Sequence, residues 1–147
     1  IGVYQSHYSK IINNIEAYIM HWLALVTLAL LLEYFVFVIL VGIARSKCGI
    51  DGPSMVGDPS FERALRVQQN TAEQLILILP SMWLFALYVS PIWASILGTV
   101  FLIGRAVYCI GYRAEAKKRG RGFIIGFGVW LVLLFGSIYG VVKALLA

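Results

Sequence analysis

One segment sets the architecture of this 147-residue chain: residues 61–89, which read FERALRVQQNTAEQLILILPSMWLFALYV. The first half of this segment is polar and the second half is almost wholly apolar. Either Asp58 or Ser60 can cap the start of a helix here, with Pro59 in the first turn. We therefore predict one helix over 60–89 whose two ends lie in different environments.

The composition identifies the apolar environment as a membrane. Hydrophobic residues make up 61% of the chain and charged residues 13%, against about 45–50% and about 25% in soluble domains. A spanning helix takes roughly 20 apolar residues, so four spans account for most of the apolar content and five leave no room for the polar stretches. These values exclude a disordered chain, a collagen-like chain and an ordinary soluble domain.

Three further apolar runs complete a four-span pattern. They begin helices predicted over about residues 17–44, 92–118 and 122–142, of which the third is apolar from Ile92 to Ile103 and polar towards its end. We predict an all-α integral membrane protein, a bundle of four transmembrane helices forming one domain over residues 1–147. The two loops richest in Lys and Arg, at 45–47 and 113–121, lie on the same side of this bundle. The positive-inside rule places both loops in the cytoplasm.

The charge pattern and the cysteines indicate whether the chain binds nucleic acid or a metal ion. The net charge of +5 is concentrated beside apolar runs, which favours membrane topology over nucleic-acid binding. Cys48 and Cys109 lack the spacing of metal ligands, and they do not indicate a disulfide framework. We therefore expect neither a nucleic-acid partner nor a metal cofactor.

Two polar faces are predicted at the cytoplasmic end of the bundle. One face of the second helix carries Arg66, Asn70 and Glu73, which are spaced i, i+4, i+7. One stripe of the third helix carries Arg105, Tyr108 and Tyr112, which are spaced i, i+3, i+7. Ionisable residues within a membrane are costly and indicate a functional site by default. The simpler interpretations are an ion pair in the headgroup zone and an aromatic belt at the interface.

Arg119 follows Tyr112 by seven residues, so it either extends the second stripe or is one topogenic charge among basic neighbours. Together the faces offer several cations, one amide, one carboxylate and two phenols. Glutathione suits this set, because it has two carboxylates, one amine and a thiol whose pKa a neighbouring cation lowers. A lipid headgroup or another phosphate-bearing ligand fits the charges almost as well.

The same residues resemble the signature of a known family. Two segments are similar to motifs of the MAPEG family, membrane-associated proteins in eicosanoid and glutathione metabolism. They are ERALRVQQNTAE at residues 62–73, and Gly104 followed by RAVYCIGY at residues 105–112. The four spans, the short outer turn and the basic second loop agree, and the resemblance covers roughly residues 17–142. It implies a homotrimer of four-helix subunits that binds glutathione between neighbouring subunits at the cytoplasmic side.

The resemblance also implies roles residue by residue. The implied ligands of the glutathione peptide are Arg45, Arg66, Gln68, Asn70, Glu73, Arg105, Tyr108 and Tyr112. The offset of Arg119 matches the arginine that stabilises the thiolate in the leukotriene C4 synthase type. Lys117, Lys118 and Arg121 are neighbouring alternatives for that role.

Two departures from the family narrow the expected function. Gln74 stands where leukotriene C4 synthase-like members have a tyrosine, and Gly120 stands where some prostaglandin E synthase-type members have a serine. The second departure argues against a prostaglandin synthase. We expect a membrane-bound glutathione transferase, or a glutathione-dependent peroxidase, acting on a hydrophobic electrophile or a lipid hydroperoxide. The alternatives are a non-catalytic lipid-binding protein and a small transporter in which Glu33 helps to line a polar path.

Overall fold

Helices account for nearly all of the computed structural model, which describes the backbone of residues 2–147 and the side chains of residues 18–147. The helices are α1 (Gly2–Lys47), α2 (Pro59–Tyr88), α3 (Pro91–Ala114) and α4 (Gly120–Leu145), with a single 3-10 turn at Ala116–Arg119. Each of the four contains a stretch long and apolar enough to cross a membrane. The predicted all-α bundle with four membrane helices is confirmed.

The third helix ends earlier than predicted. We expected it to reach residue 118, but α3 ends at Ala114, because Glu115 adopts an extended conformation with φ −156° and ψ 131°. The chain then folds back against α3 at Gly111, where a Cβ would lie only 2.8 Å from the carbonyl oxygen of Lys118. This break carries Arg119 off the α3 stripe and onto the turn that leads into α4.

The other helices start and end close to, or beyond, the predicted limits: α1 begins before residue 17, and α4 covers more than residues 122–142. Side chains cap the starts of α2 and α3. Asp58 Oδ1 accepts the N–H groups of Ser60 at 2.7 Å and Phe61 at 3.3 Å, so Asp58, not Ser60, is the cap of α2. The Ser60 hydroxyl donates to the same carboxylate, and these hydrogen bonds lower the pKa of Asp58 to about 2. Ser90 caps α3 in the same way.

Helices α2 and α3 form the centre of the bundle, and α1 and α4 each pack on both of them. The main buried cluster is apolar and draws on all four helices, with Leu23, Leu30, Leu75, Ile78, Met82, Phe101, Val129 and Leu133 among its members. Large apolar side chains also cover the outside, including Leu28, Leu32 and Phe35 of α1. An apolar exterior of this extent is the surface that lipid covers in a membrane protein.

Two pairs of glycines, each with Gly-x-x-x-Gly spacing, bring α4 close to its neighbours. A Cβ at Gly122 would lie 2.6 Å from the Cα of Tyr108, and one at Gly136 would lie 2.8 Å from a ring carbon of Phe85. Gly126 and Gly140 stand four residues further along and are also buried. The contact at Gly122 matters most, because it places the start of α4 directly behind Tyr108.

Candidate functional site

A cavity of about 470 Å³ lies at the basic end of the bundle, between the start of α2, the end of α3 and the start of α4. It is lined by Arg66, Asn70, Tyr108, Tyr112, Arg119 and Phe123. All of these except Phe123 are residues that the sequence predicts for the site. The volume falls within the range of about 300–1,000 Å³ that is usual for small-ligand sites.

Arg105 lies one turn deeper along α3 than Tyr108 and is fully buried. Its Nη1 donates to Asn70 Oδ1 and Gln74 Oε1, both at 3.2 Å, and its Nη2 donates to the Thr71 hydroxyl at 2.5 Å. The guanidinium also lies 4.2 Å from the ring centroid of Tyr108. One planar cation of α3 therefore holds three side chains of α2 and one tyrosine in a fixed arrangement.

Tyr108 and Tyr112 form one wall of the cavity. Their rings are stacked, with centroids 5.6 Å apart. The guanidinium carbon of Arg119 lies 5.4 Å from the ring centroid of Tyr112, and its Nη1 donates to the Tyr112 hydroxyl at 3.5 Å. The side chain of Arg119 is otherwise exposed, so its charge faces both the cavity and the outside of the bundle.

The basic segment between α3 and α4 offers several candidate cations to the cavity. Among residues 117–121, all of which the structure describes, Arg119 alone lines the cavity. The other cations of this segment, Lys117, Lys118 and Arg121, line a separate groove on the outer face of α3 and α4. The geometry therefore distinguishes Arg119 from the neighbours that the sequence left as alternatives.

Four predicted ligands do not line the cavity within a single chain. Arg105 is buried behind it and supports Asn70 and Tyr108, and the other three, Arg45, Gln68 and Glu73, lie away from it. Gln68 points to α1, where its Nε2 donates to the Tyr34 hydroxyl at 2.5 Å. Arg45 lies near the end of α1, and its guanidinium carbon is 4.7 Å from the centroid of the Phe61 ring. Glu73 is exposed on the surface of α2. The predicted contacts of these three residues with glutathione stay predictions.

Sequence reasoning missed parts of the supporting structure. The sequence analysis predicted no role in the site for Thr71, Phe123 or Gln74. A signal for Gln74 was available, because it stands four residues after Asn70 and so shares its helix face. No spacing rule points to Thr71, whose role depends on where the guanidinium of Arg105 comes to rest.

A second cavity of about 420 Å³ adjoins the first, and Arg66 and Tyr112 line both. Its other walls come from the loop before α2 and the first turns of α2, including Met55, Val56, Glu62 and Gln69. Arg63 closes this region by donating its Nε–H to the carbonyl oxygen of Arg113 at 3.1 Å, which ties α2 to the end of α3.

The site as built is suited to a small polar anion. Arg66 and Arg119 supply positive charge at the cavity, Asn70 supplies an amide, and the two tyrosines supply hydroxyl groups. An arginine can hold a carboxylate through two parallel hydrogen bonds. A cation beside a thiol favours the thiolate, which is the nucleophilic form.

Comparisons with known proteins agree with these features. The MAPEG family matches residues 23–139, a range that contains the whole cavity. An uncharacterized protein of Synechocystis sp. is 46% identical over 120 residues, covering 82% of this chain and 88% of that protein. Microsomal glutathione S-transferase 2 of Homo sapiens is 34% identical over 110 residues, which is 75% of each chain. Leukotriene C4 synthase of Cavia porcellus is 32% identical over 117 residues, covering 79% of this chain and 78% of the relative.

Proposed function

This chain belongs to the MAPEG family of membrane proteins, and from that premise we propose that it is a membrane-bound glutathione transferase. The observation that carries the proposal is the single cavity in which Arg66, Asn70, Tyr112 and Arg119 come together. The names of two relatives, a microsomal glutathione S-transferase and a leukotriene C4 synthase, support the same chemistry.

Glutathione binds in this proposal as a compact anion. Arg66 holds one of its carboxylates, and the amide of Asn70 donates to the peptide. Glu73 stands next to Asn70, whose Nδ2 donates to its carboxylate at 3.5 Å, so it is placed to receive the ammonium group. The two tyrosines close the cavity from the side of α3.

Arg119 activates the thiol. A free thiol has a pKa of about 8.5, and a neighbouring guanidinium favours its deprotonation. The thiol proton passes to water, since Arg119 stands at the aqueous boundary. The thiolate sulfur then forms a bond to an electrophilic carbon of a hydrophobic substrate, and either a leaving group departs from that carbon or the displaced electron pair takes up a proton from water. A lipid hydroperoxide is the alternative acceptor: the thiolate breaks its O–O bond, a second glutathione attacks the resulting sulfenic acid, and the products are an alcohol, water and glutathione disulfide.

The membrane places the two reactants on either side of the same site. We propose that the basic loops and the cavity face the cytoplasm, because both basic segments lie at the cavity's end of the bundle. Glutathione enters from water and the electrophile from the bilayer. Holding both reactants at the boundary converts an encounter between molecules that are dissolved in different phases into a reaction within one site.

We further propose that the protein is a homotrimer in which neighbouring copies complete each site. Arg45 and Gln68 stand away from the cavity of a single chain, which fits ligands that are shared across an interface. Light scattering on detergent-purified protein tests this directly. A monomer that binds glutathione fully would contradict the shared site.

The experiment that tests the enzyme assignment is an ultraviolet difference spectrum of the detergent-purified protein on adding glutathione. S-methylglutathione serves as the blank ligand, because it has no ionisable thiol but perturbs the tyrosines in the same way. We expect a thiolate band in the wild type, loss of the band in Arg119→Ala, and a normal band in Arg113→Ala, which removes a nearby charge outside the cavity.

Each outcome bears on the proposal. A band that survives Arg119→Ala and disappears instead when Lys117, Lys118 or Arg121 is changed would overturn the role of Arg119. Glutathione binding without any band would favour the non-catalytic alternative. Failure of glutathione to bind would overturn the function altogether.

A further inference from the structure

The outer face of α3 and α4 carries a groove of about 720 Å³ that shares no lining residue with the cavity of the candidate site. Its walls are apolar on the side of the membrane interior and basic at the rim: Val107, Ile110 and Ile124 below, and Lys117, Lys118 and Arg121 above. Such a segregation of charge and apolar surface is what the headgroup and the chain of a lipid require.

The groove is open outward, and its apolar walls are not covered by the rest of the chain. Ile110 and Ile124 are 71% and 70% exposed, which is high for aliphatic side chains. Gly111 and the neighbouring Gly120 contribute no side chains that could fill the space between these walls. From Gly111 to Val107 the helix rises about 6 Å, the length of the first few methylene groups of an acyl chain.

Two of the three cations at the rim form no ion pair with residues whose side chains the structure describes. Lys118 pairs with Glu115 at 3.3 Å. Within residues 18–147, whose side chains are described, neither Lys117 nor Arg121 has an acidic partner within ion-pair distance. Two cations thus stand beside the start of α4, and basic residues at the end of a spanning helix are expected to lie in the headgroup zone.

We infer that this groove binds an anionic phospholipid of the leaflet next to the basic loops. The phosphate lies between Lys117 and Arg121, and the start of one acyl chain lies along Ile110 and Ile124. The charge of the rim argues for this occupant, because Lys117 and Arg121 have no acidic partner within the described residues and a phosphate supplies the anion that they lack.

The test is lipid binding counted by native mass spectrometry, with detergent-purified protein titrated with a phosphatidylglycerol. A phosphatidylcholine with the same tails shows whether headgroup charge matters. The double variant Lys117→Gln, Arg121→Gln removes the two rim cations that have no acidic partner. Its matched control is the double variant Lys47→Gln, Arg113→Gln, which loses the same charge at the same end of the bundle but outside the groove.

We expect phosphatidylglycerol to bind in preference to phosphatidylcholine, and the groove variant to bind it about 25-fold more weakly, at about fivefold per cation. The control variant should change affinity less than twofold. Ile110→Trp, which fills the groove and keeps both cations, should also weaken binding. Saturating inorganic phosphate should not displace the lipid, because the acyl chain contributes to its binding.

Several results would overturn the inference. Equal losses in the two double variants would mean that diffuse charge, not this groove, attracts the lipid. Equal binding of the two phospholipids, full displacement by inorganic phosphate, or unchanged binding in Ile110→Trp would exclude a built lipid site. Protein dimers that disappear in Ile110→Trp would identify the groove as a contact between copies. None of these readouts depends on glutathione, so they stand apart from the enzyme assignment.

Discussion

Nη1 of Arg105 donates to Oδ1 of Asn70 at 3.2 Å, and this bond joins α3 to the polar face of α2 inside the bundle. This hydrogen bond determines the orientation of the Asn70 amide group. Because the oxygen of the Asn70 amide accepts from a buried cation, the NH₂ group is the end of this side chain that is left for a ligand in the cavity, and it lies 3.5 Å from the Glu73 carboxylate. A buried arginine thus leaves Asn70 with a hydrogen-bond donor, which suits the anionic ligand proposed for the site.

The first prediction concerns the donor side of this bond. Arg105→Leu removes the donor that Asn70, Gln74 and Thr71 share, and a buried acceptor left unpaired, as at Thr71, costs about 1–3 kcal/mol. We expect a lower unfolding temperature in detergent and at least tenfold weaker glutathione binding, with Arg105→Lys intermediate because it keeps the charge but not the planar geometry. Calorimetry of binding and thermal unfolding measure both; wild-type affinity in Arg105→Leu would contradict the positioning role.

The second prediction separates positioning from stability at Asn70. Asn70→Asp keeps an acceptor for Arg105 and turns this charge-assisted bond into an ion pair, but it replaces the NH₂ donor with a negative charge. We expect an unfolding temperature equal to or above that of the wild type and at least tenfold weaker glutathione binding. If both quantities fell together, Asn70 would be a structural residue and not a ligand.

The third prediction concerns the contact of α4 behind the tyrosine wall. Gly122→Ala forces a methyl group against the backbone of Tyr108, and overpacking of this kind costs about 1–3 kcal/mol. Gly128→Ala is the matched control on the same helix, because nothing lies within 4 Å of its added Cβ. We expect Gly122→Ala to unfold at a lower temperature and to bind glutathione more weakly. The Gly128 variant should be as stable as the wild type or slightly more so. Equal effects of the two variants would refute the close approach.

Much of the fold and part of the site could be predicted from local pattern. The i, i+4 spacing of Arg66 and Asn70 predicts their common face, and both line the cavity. Gln68 follows Arg66 by two residues, or about 200° around the helix, so it turns to α1 and Tyr34 instead. The position of Arg119 could not be derived from helical spacing, because Glu115 breaks α3 and the cation reaches Tyr112 from a separate turn.

The fourth prediction is a pH dependence at the start of α2. Hydrogen bonds from Ser60 and Phe61 hold the folded pKa of Asp58 at about 2, below the ordinary value of 3.8. A lowered folded pKa means that this stabilisation is complete above pH 4 and is lost as the pH falls through about 2. Thermal unfolding followed by circular dichroism from pH 2 to pH 7 should show the advantage of the wild type over Asp58→Asn shrinking below about pH 4. An advantage that stays constant down to pH 2 would show that the charge of Asp58 does not contribute.

The fifth prediction tests the hydroxyl that connects the tyrosine wall to Arg119. Tyr112→Phe keeps the ring stacked on Tyr108 and beneath the guanidinium, but it removes the acceptor at 3.5 Å from Arg119 Nη1. A hydrogen bond contributes about 0.5–1.5 kcal/mol net, which corresponds to about two- to tenfold in rate if the hydroxyl positions the cation at the thiolate. We expect kcat with 1-chloro-2,4-dinitrobenzene to fall within that range while glutathione affinity changes less than twofold, because the ring still lines the cavity. Tyr139→Phe, on the exposed surface near the far end of α4, is the control and should match the wild type. If Tyr112→Phe instead weakened glutathione binding and left kcat unchanged, the hydroxyl would be a ligand of glutathione and not a positioning group for Arg119.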